Sequence, residues 1–214
     1  MKKIDIDDLI ECGEGKQIEF KRKVSSPEKI VRTISAFANT SGGIILFGVD
    51  DDGSVCGVQN EKEETELINY AVNFLCEPQI EFSIDIIPYS SKKDVIVCSI
   101  DESKNKPHKI SKEIQTEIGT KVFIRVEDET LEVSKEVVKI MESQRANKPI
   151  KILITEKEKL LFDYLEKNKK ITLQEFCHVA NIGKRRAIRT FVTLVRANIL
   201  YIHTYEKENF YTLV

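Results

Sequence analysis

The spacing of apolar and polar residues predicts helices and strands in mixed order over most of the chain. Asp5 to Cys12 reads as a short helix stopped by Gly13, with acidic residues suited to its first turn. Glu14 to Arg22 reads as extended. Ser25-Ser26-Pro27-Glu28 has the chemistry of a helix start, and Ile30, Ile34 and Phe37 recur at helical spacing behind it. Paired glycines, Gly42 and Gly43, then permit positive φ or close backbone approach. Ile44 to Val49 is short and rich in strand-favouring residues, so it predicts a buried strand. Asp50-Asp51-Asp52-Gly53 predicts a hairpin turn, with Val55 and Val58 resuming a strand.

Further on, Glu61 to Phe74 predicts a helix, and Pro78 prevents its simple continuation. Ile80 to Ile86 alternates at a period of two, and Val95 to Ile100 reads as the strand returning from a loop at Ser90–Asp94. Lys106-Pro107-His108-Lys109 opens an irregular segment, Lys121 to Val126 is another short strand containing Arg125, and Val133 to Arg145 is a helix. The order is that of an α+β domain, a mixed sheet with helices, over residues 1–145. The polar, proline-bearing stretch Ala146-Asn147-Lys148-Pro149 reads as a linker.

Residues 150–214 have a different character. An amphipathic helix from Thr155 to Lys167 is followed by the extended Ile171-Thr172-Leu173, and Thr172 and Glu175 have the spacing of a capping box for the next helix. Asn181-Ile182-Gly183 is a turn, Lys184 to Asn198 is a third helix, and two apolar alternations form a terminal hairpin. This order resembles a winged helix-turn-helix, so the expected architecture is an α+β domain plus a small C-terminal winged-helix domain. The third helix carries Lys184, Arg185, Arg186 and Arg189 near its start, where cations could contact phosphates or base edges. A protein–protein module with a solvated basic face is the alternative.

Charge separates the two parts. Met1 to Asn147 holds 20 basic and 28 acidic residues, a net of −8, whereas Lys148 to Val214 holds 13 basic and 7 acidic, a net of +6. That contrast favours a nucleic-acid-facing C-terminal domain. With 41% hydrophobic and 32% charged residues, the composition excludes a largely disordered chain. No apolar run approaches the roughly 20 residues needed to cross a bilayer, and no signal peptide is evident, so a cytoplasmic location is expected. The five cysteines are scattered without a CxxC pair, which argues against a disulfide framework or a structural zinc site.

The ordered set Glu14, Glu19-Phe20-Lys21, Ala36-Phe37-Ala38-Asn39-Thr40, Gly42-Gly43 and Phe47-Gly48-Val49-Asp50 resembles the Schlafen-type AlbA-like domain family. Asp52-Gly53, Gly57, Lys106-Pro107-His108 and Phe123-Ile124-Arg125-Val126 continue the resemblance, which spans roughly residues 10 to 140. It implies a DNA-binding protein (RNA being the other nucleic-acid partner considered), commonly a transcriptional regulator, with the AlbA-like domain assisting dimerisation or nucleic-acid contact. A homo-oligomer, a dimer above all, is therefore expected. Within that domain Lys21, Arg22, His108 and Arg125 are the candidate nucleic-acid contacts.

The same resemblance implies an alternative, a nuclease with three carboxylates. The matching positions are Glu14, Glu19 and one of the aspartates Asp50, Asp51 and Asp52, Asp50 above all, which together would hold Mg²⁺ or Mn²⁺ and place a water for phosphodiester attack. The expectation is binding without catalysis and without a cofactor, with the metal-dependent nuclease as the alternative. Some relatives carry an ATP-binding label, but this sequence has no GxxxxGK[ST] loop, and Ser41-Gly42-Gly43 is too short to cradle a triphosphate.

Overall fold

The computed structural model describes residues 5–110, 120–145, 152–205 and 208–214. Two compact units make up the chain, Met1–Glu132 and Val133–Val214. The linker expected at 146–149 lies outside the described residues. The division between units falls before the 133–145 helix, so that helix belongs with the second unit.

The first unit runs α1 (Ile6–Cys12), β1 (Ile18–Lys21), α2 (Pro27–Asn39), β2 (Gly43–Phe47), α3 (Glu61–Leu75) and β3 (Cys76–Glu77), then β4 (Phe82–Ser90), β5 (Lys93–Ile100), β6 (Lys109–Ile110), β7 (Phe123–Val126) and β8 (Glu129–Glu132). Its helices start where polar side chains take up orphan amides. Asp5 accepts from the Asp7 N–H, Ser26 from Lys29, and Asn60 from Glu63. The main sheet has the order β1-β2-β5-β4; β1 and β2 are parallel, and the other pairings are antiparallel. A parallel pair needs a crossover, and α2 is that crossover.

Strand β2 sends Ile45 and Phe47 to one face, where they pack with Ile34, Phe37, Ile68 and Val72 of α2 and α3. Leu46 goes to the other face, with Ile6, Leu9, Val95 and Val97. Burial on both faces is why this strand reads as an unbroken apolar run. Gly42 has φ of 70°, and a Cβ there would lie 2.6 Å from the Ile100 carbonyl oxygen, so only glycine fits.

After β2 the expected return strand is reduced to isolated bridges, Val49 with Val55 and Val58 with Asp94. Gly48 (φ 94°) and Gly57 (φ 76°) bend the backbone so closely together that a Cβ on Gly48 would stand 3.0 Å from the Gly57 backbone. The Gly48 carbonyl accepts from both the Cys56 and Gly57 N–H groups, which stabilises a loop in place of a ladder. Strand β8 pairs with β7 in a hairpin that the sequence does not announce, because its turn places Glu127, not glycine, at φ 51°.

The second unit contains α4 (Lys135–Arg145), α5 (Glu156–Asn168), β9 (Ile171–Thr172), α6 (Leu173–Val179), α7 (Lys184–Arg196), β10 (Leu200–His203) and β11 (Phe210–Leu213). Both predicted cap sites form full capping boxes, Thr155 with Glu158 and Thr172 with Glu175. The strands make an antiparallel sheet of order β10-β11-β9. Phe191 of α7 is central to the core, stacked on Phe176 at 5.0 Å and tilted against Tyr211 at 3.9 Å between ring centroids. Ile140 of α4 joins the same core. Among the described residues no helix is long and apolar enough to cross a membrane.

Candidate nucleic-acid interface

Helix α7 is held by its inward residues Ala187, Ile188, Phe191 and Leu194, all buried. Three and four residue steps carry the opposite face outward, leaving Arg185, Arg186 and Arg189 exposed. Its start violates the usual rules for helix stability. Gly183 occupies the N-cap with no side-chain hydrogen bond, and the first turn holds no acidic residue. Instead, Lys184, Arg185 and Arg186 add positive charge to the end where the helix dipole is already positive. That arrangement carries a local cost in helix stability.

Neighbouring elements fix this basic turn. The Glu136 carboxylate of α4 pairs with the Lys184 ammonium at 3.3 Å. Burial pushes the Glu136 carboxyl up, but hydrogen bonds from Ser134, its own N–H and Lys184 outweigh that and hold it below the ordinary carboxylate value. Glu158 of α5, which is buried, accepts from the Thr155 N–H at 2.9 Å, from the Thr155 hydroxyl, and from the Thr190 hydroxyl of α7 at 3.2 Å. Desolvation raises its carboxyl and these hydrogen bonds, prevailing, lower it. Arg186 and Arg189 stand beside an open groove of about 390 Å³, whose wall includes Ile152, Leu153 and Thr193. Neither Glu136 nor Glu158 was among the sequence candidates. The Glu158 capping-box spacing was the available clue; Glu136 offered none, because its partner lies 48 positions on.

In the first unit the candidate residues divide sharply. Arg125 is 3% exposed, its ring of donors taken up internally. Nε and Nη2 donate to the Gly15 carbonyl at 3.1 and 2.9 Å, Nη1 donates to the Thr130 hydroxyl at 3.3 Å, and Nη2 meets Glu19 at 2.5 Å. The guanidinium also lies over the Phe37 ring, 5.1 Å from its centroid. His108 is fully buried; its backbone N–H donates to Asn39 Oδ1 at 2.8 Å, and its ring Nδ1 sits 2.7 Å from the Pro78 carbonyl oxygen. Interior placement removes both Arg125 and His108 from the surface a nucleic acid could reach, and corrects their assignment as contacts. Lys21 and Arg22 stay accessible, though Lys21 pairs with Glu19 and Arg22 with Asp50 at 3.2 Å.

The three carboxylates of the nuclease alternative have separate occupations. Glu14 Oε1 accepts the Phe20 N–H at 2.8 Å, Glu19 is held by Lys21 and Arg125, and Asp50 is held by Arg22. Among the described residues no three carboxylate, histidine or cysteine side chains are grouped to hold a metal ion. In this arrangement the central carboxylate, Glu19, is neutralised by a buried guanidinium. The Gly42 N–H is likewise used internally, donating to the Phe37 carbonyl at 2.9 Å.

Asn39 and Thr40, noted in the sequence only as part of a motif, tie this unit together. Asn39 Nδ2 donates to the His108 and Phe123 carbonyls at 3.1 and 2.9 Å, and the Arg125 N–H donates to the Thr40 hydroxyl at 2.9 Å. The end of α2 thereby fastens two segments that are 69 and 84 positions away.

A Ureaplasma parvum protein named as ATP-binding is 34% identical over 77 residues, 33% of this chain and 22% of its own length. The chain therefore spans about a fifth of that relative. Among solved structures, the N-terminal domain of an ATP-dependent DNA helicase RecG-related protein from Nitrosomonas europaea aligns with a TM-score of 0.43 and 20% identity, covering 58% of this chain and 90% of that one. The DIP2311 protein from Corynebacterium diphtheriae aligns with a TM-score of 0.42 and 18% identity, covering 63% of this chain and 28% of that one. The family model for Schlafen, AlbA_2 matches residues 14–134, more than half of the chain. The chain belongs to the Schlafen AlbA_2 family.

Proposed function

We propose that this protein binds DNA as a transcriptional regulator, with its second unit acting as a winged helix-turn-helix and α7 entering the major groove. The supporting observation is the uncapped start of α7, where Arg185, Arg186 and Arg189 face solvent while the opposite face is locked into the core. The net of +6 over residues 148–214 supplies the long-range attraction to phosphate. Order and pairing of the elements, from α5 through the β10–β11 hairpin, support the winged-helix reading. In this account Lys184 to Arg189 position the helix on phosphates and reach base edges, while Glu136 and Glu158 hold α7 in place.

The test is a gel-shift series of the full chain on mixed-sequence duplexes, wild type against the Arg185→Ala/Arg186→Ala/Arg189→Ala variant. Wild type is expected to bind at low salt, and the variant to lose at least tenfold, the scale of a few lost charge-assisted contacts. Equal binding by the two proteins would remove α7 from the interface.

A further inference from the structure

We propose that the outer face of the β10-β11-β9 sheet is a stacking platform for unpaired nucleobases, so that the second unit takes single-stranded nucleic acid at a surface separate from the exposed face of α7. The alternation of the hairpin creates that face. Leu200, Ile202 and Tyr211 point into the core, so Tyr201, His203, Phe210 and Thr212 point out. Register places His203 opposite Phe210 and Tyr201 opposite Thr212.

Three of the outward rings form a stack, and the fourth meets it edge-on. Tyr205 stacks on Phe210 with centroids 5.5 Å apart and planes 15° from parallel. Phe210 stacks on His203 at 4.5 Å and 16°, and Tyr201 meets His203 edge-on at 4.8 Å. The two ends of this cluster are open, with Tyr201 59% and Tyr205 58% exposed. Core packing does not require these rings, since Tyr211 and Phe191 already fill that role. Exposed aromatic surface of this kind calls for a ligand with a flat apolar face.

Charge identifies the ligand. The Lys170 ammonium lies 5.3 Å from the Phe210 ring centroid, and Lys167 and Lys169 are exposed in the same turn, which leads into β9. Stacking rings beside a run of cations is the combination that binds single strands, the rings taking bases and the lysines following the phosphates. In a duplex the base faces are occupied by their neighbours, so only an unpaired base can extend the stack. This inference stands apart from the duplex contact of α7 and does not require it.

Fluorescence anisotropy of the full chain with labelled oligo(dT) and oligo(U) of about 12 nucleotides tests it. The Tyr201→Ala/Tyr205→Ala variant is expected to weaken single-strand binding by roughly tenfold or more, because each removed ring forfeits one base. Both positions are exposed, so the fold tolerates the change, and Tyr201→Phe/Tyr205→Phe, which keeps the rings, should bind within about twofold of wild type. Duplex binding should be unchanged in both. Loss of duplex binding alone in the α7 arginine variant would support the proposal and keep the two surfaces distinct. If wild type binds no single strand, the platform does not exist. Retained affinity in the alanine variant, or equal loss in the phenylalanine one, would also overturn it, as would loss of single-strand binding in the α7 variant.

Discussion

Arg125→Ala should open the first unit, not weaken a nucleic-acid contact. The substitution removes four hydrogen bonds and ion-pair contacts, two to the Gly15 carbonyl, one to Thr130 and one to Glu19, together with the stacking on Phe37. Breaking a buried ion pair from one side costs about 3–5 kcal/mol, because the abandoned charge stays buried. Lys21 remains on Glu19 and softens that loss, which places the expectation near the lower end, about 3 kcal/mol. The thiol of Cys98 offers a reading specific to this unit. It has no exposed surface, and burial pushes it up to about 12, so a thiol reagent reacts only through opening. A loss of 3 kcal/mol multiplies the open population, and hence the labelling rate of Cys98 measured by mass spectrometry, by about 150-fold. Cys177, in the second unit, serves as the internal control and should label at its wild-type rate. A change in Cys98 labelling below about twofold would mean that Arg125 behaves like a surface residue and does not hold the first unit closed.

Other positions follow from the same packing. Glu19→Ala should also accelerate Cys98 labelling, so any loss of activity in that variant must be read against its opening rate; a wild-type labelling rate would contradict the ion-pair role. Gly48→Ala forces a side chain to φ 94° and to 3.0 Å from the Gly57 backbone, which should cost about 2 kcal/mol or more in urea unfolding, against near neutrality if the loop can relax. Asn39→Asp removes the donor that serves the His108 and Phe123 carbonyls and buries a charge, with an expected cost of about 3 kcal/mol by the same measurement; a loss below 1 kcal/mol would show the network to be dispensable. Glu136 and Glu158 have carboxyls held below their ordinary value when folded, so their stabilisation is complete at neutral pH and disappears as pH falls through that lowered value. Protection factors of α5 and α7 amides, which are corrected for the slower intrinsic exchange in acid, should therefore fall on acidification, and Glu158→Gln should reduce that dependence; an unchanged acid response would exclude Glu158. Glu64 in the first unit has the opposite sign. Burial raises its carboxyl despite the Val24 N–H, so its contribution is present at low pH and lost as pH rises through the raised value.

Local signals were enough for most elements and too little for the site in the first unit. Caps at Ser26, Thr155 and Thr172, and the apolar run before Gly48, are short-range statements that tertiary packing does not alter. The β7–β8 hairpin escaped because its turn has a glutamate where glycine is the usual marker. The fates of Glu19 and Arg125 depend on one meeting across more than a hundred positions, which no spacing reveals. A carboxylate in a family motif reads equally well as a metal ligand or as half of an ion pair. The basic face of α7 was legible because both its charge and its apolar period sit within a single helix. The aromatic stack was not, since it requires the register of β10 against β11.

The salt dependence of duplex affinity is the most direct measurement of the central claim. Each phosphate neutralised contributes about −0.9 to the slope of log K against log [salt]. Wild type should show a steep line, and the Arg185→Ala/Arg186→Ala/Arg189→Ala variant a line shallower by about 2.7, since three phosphate contacts are gone. Parallel lines of equal affinity, or no duplex binding by wild type at low salt, would contradict a DNA-binding role for α7.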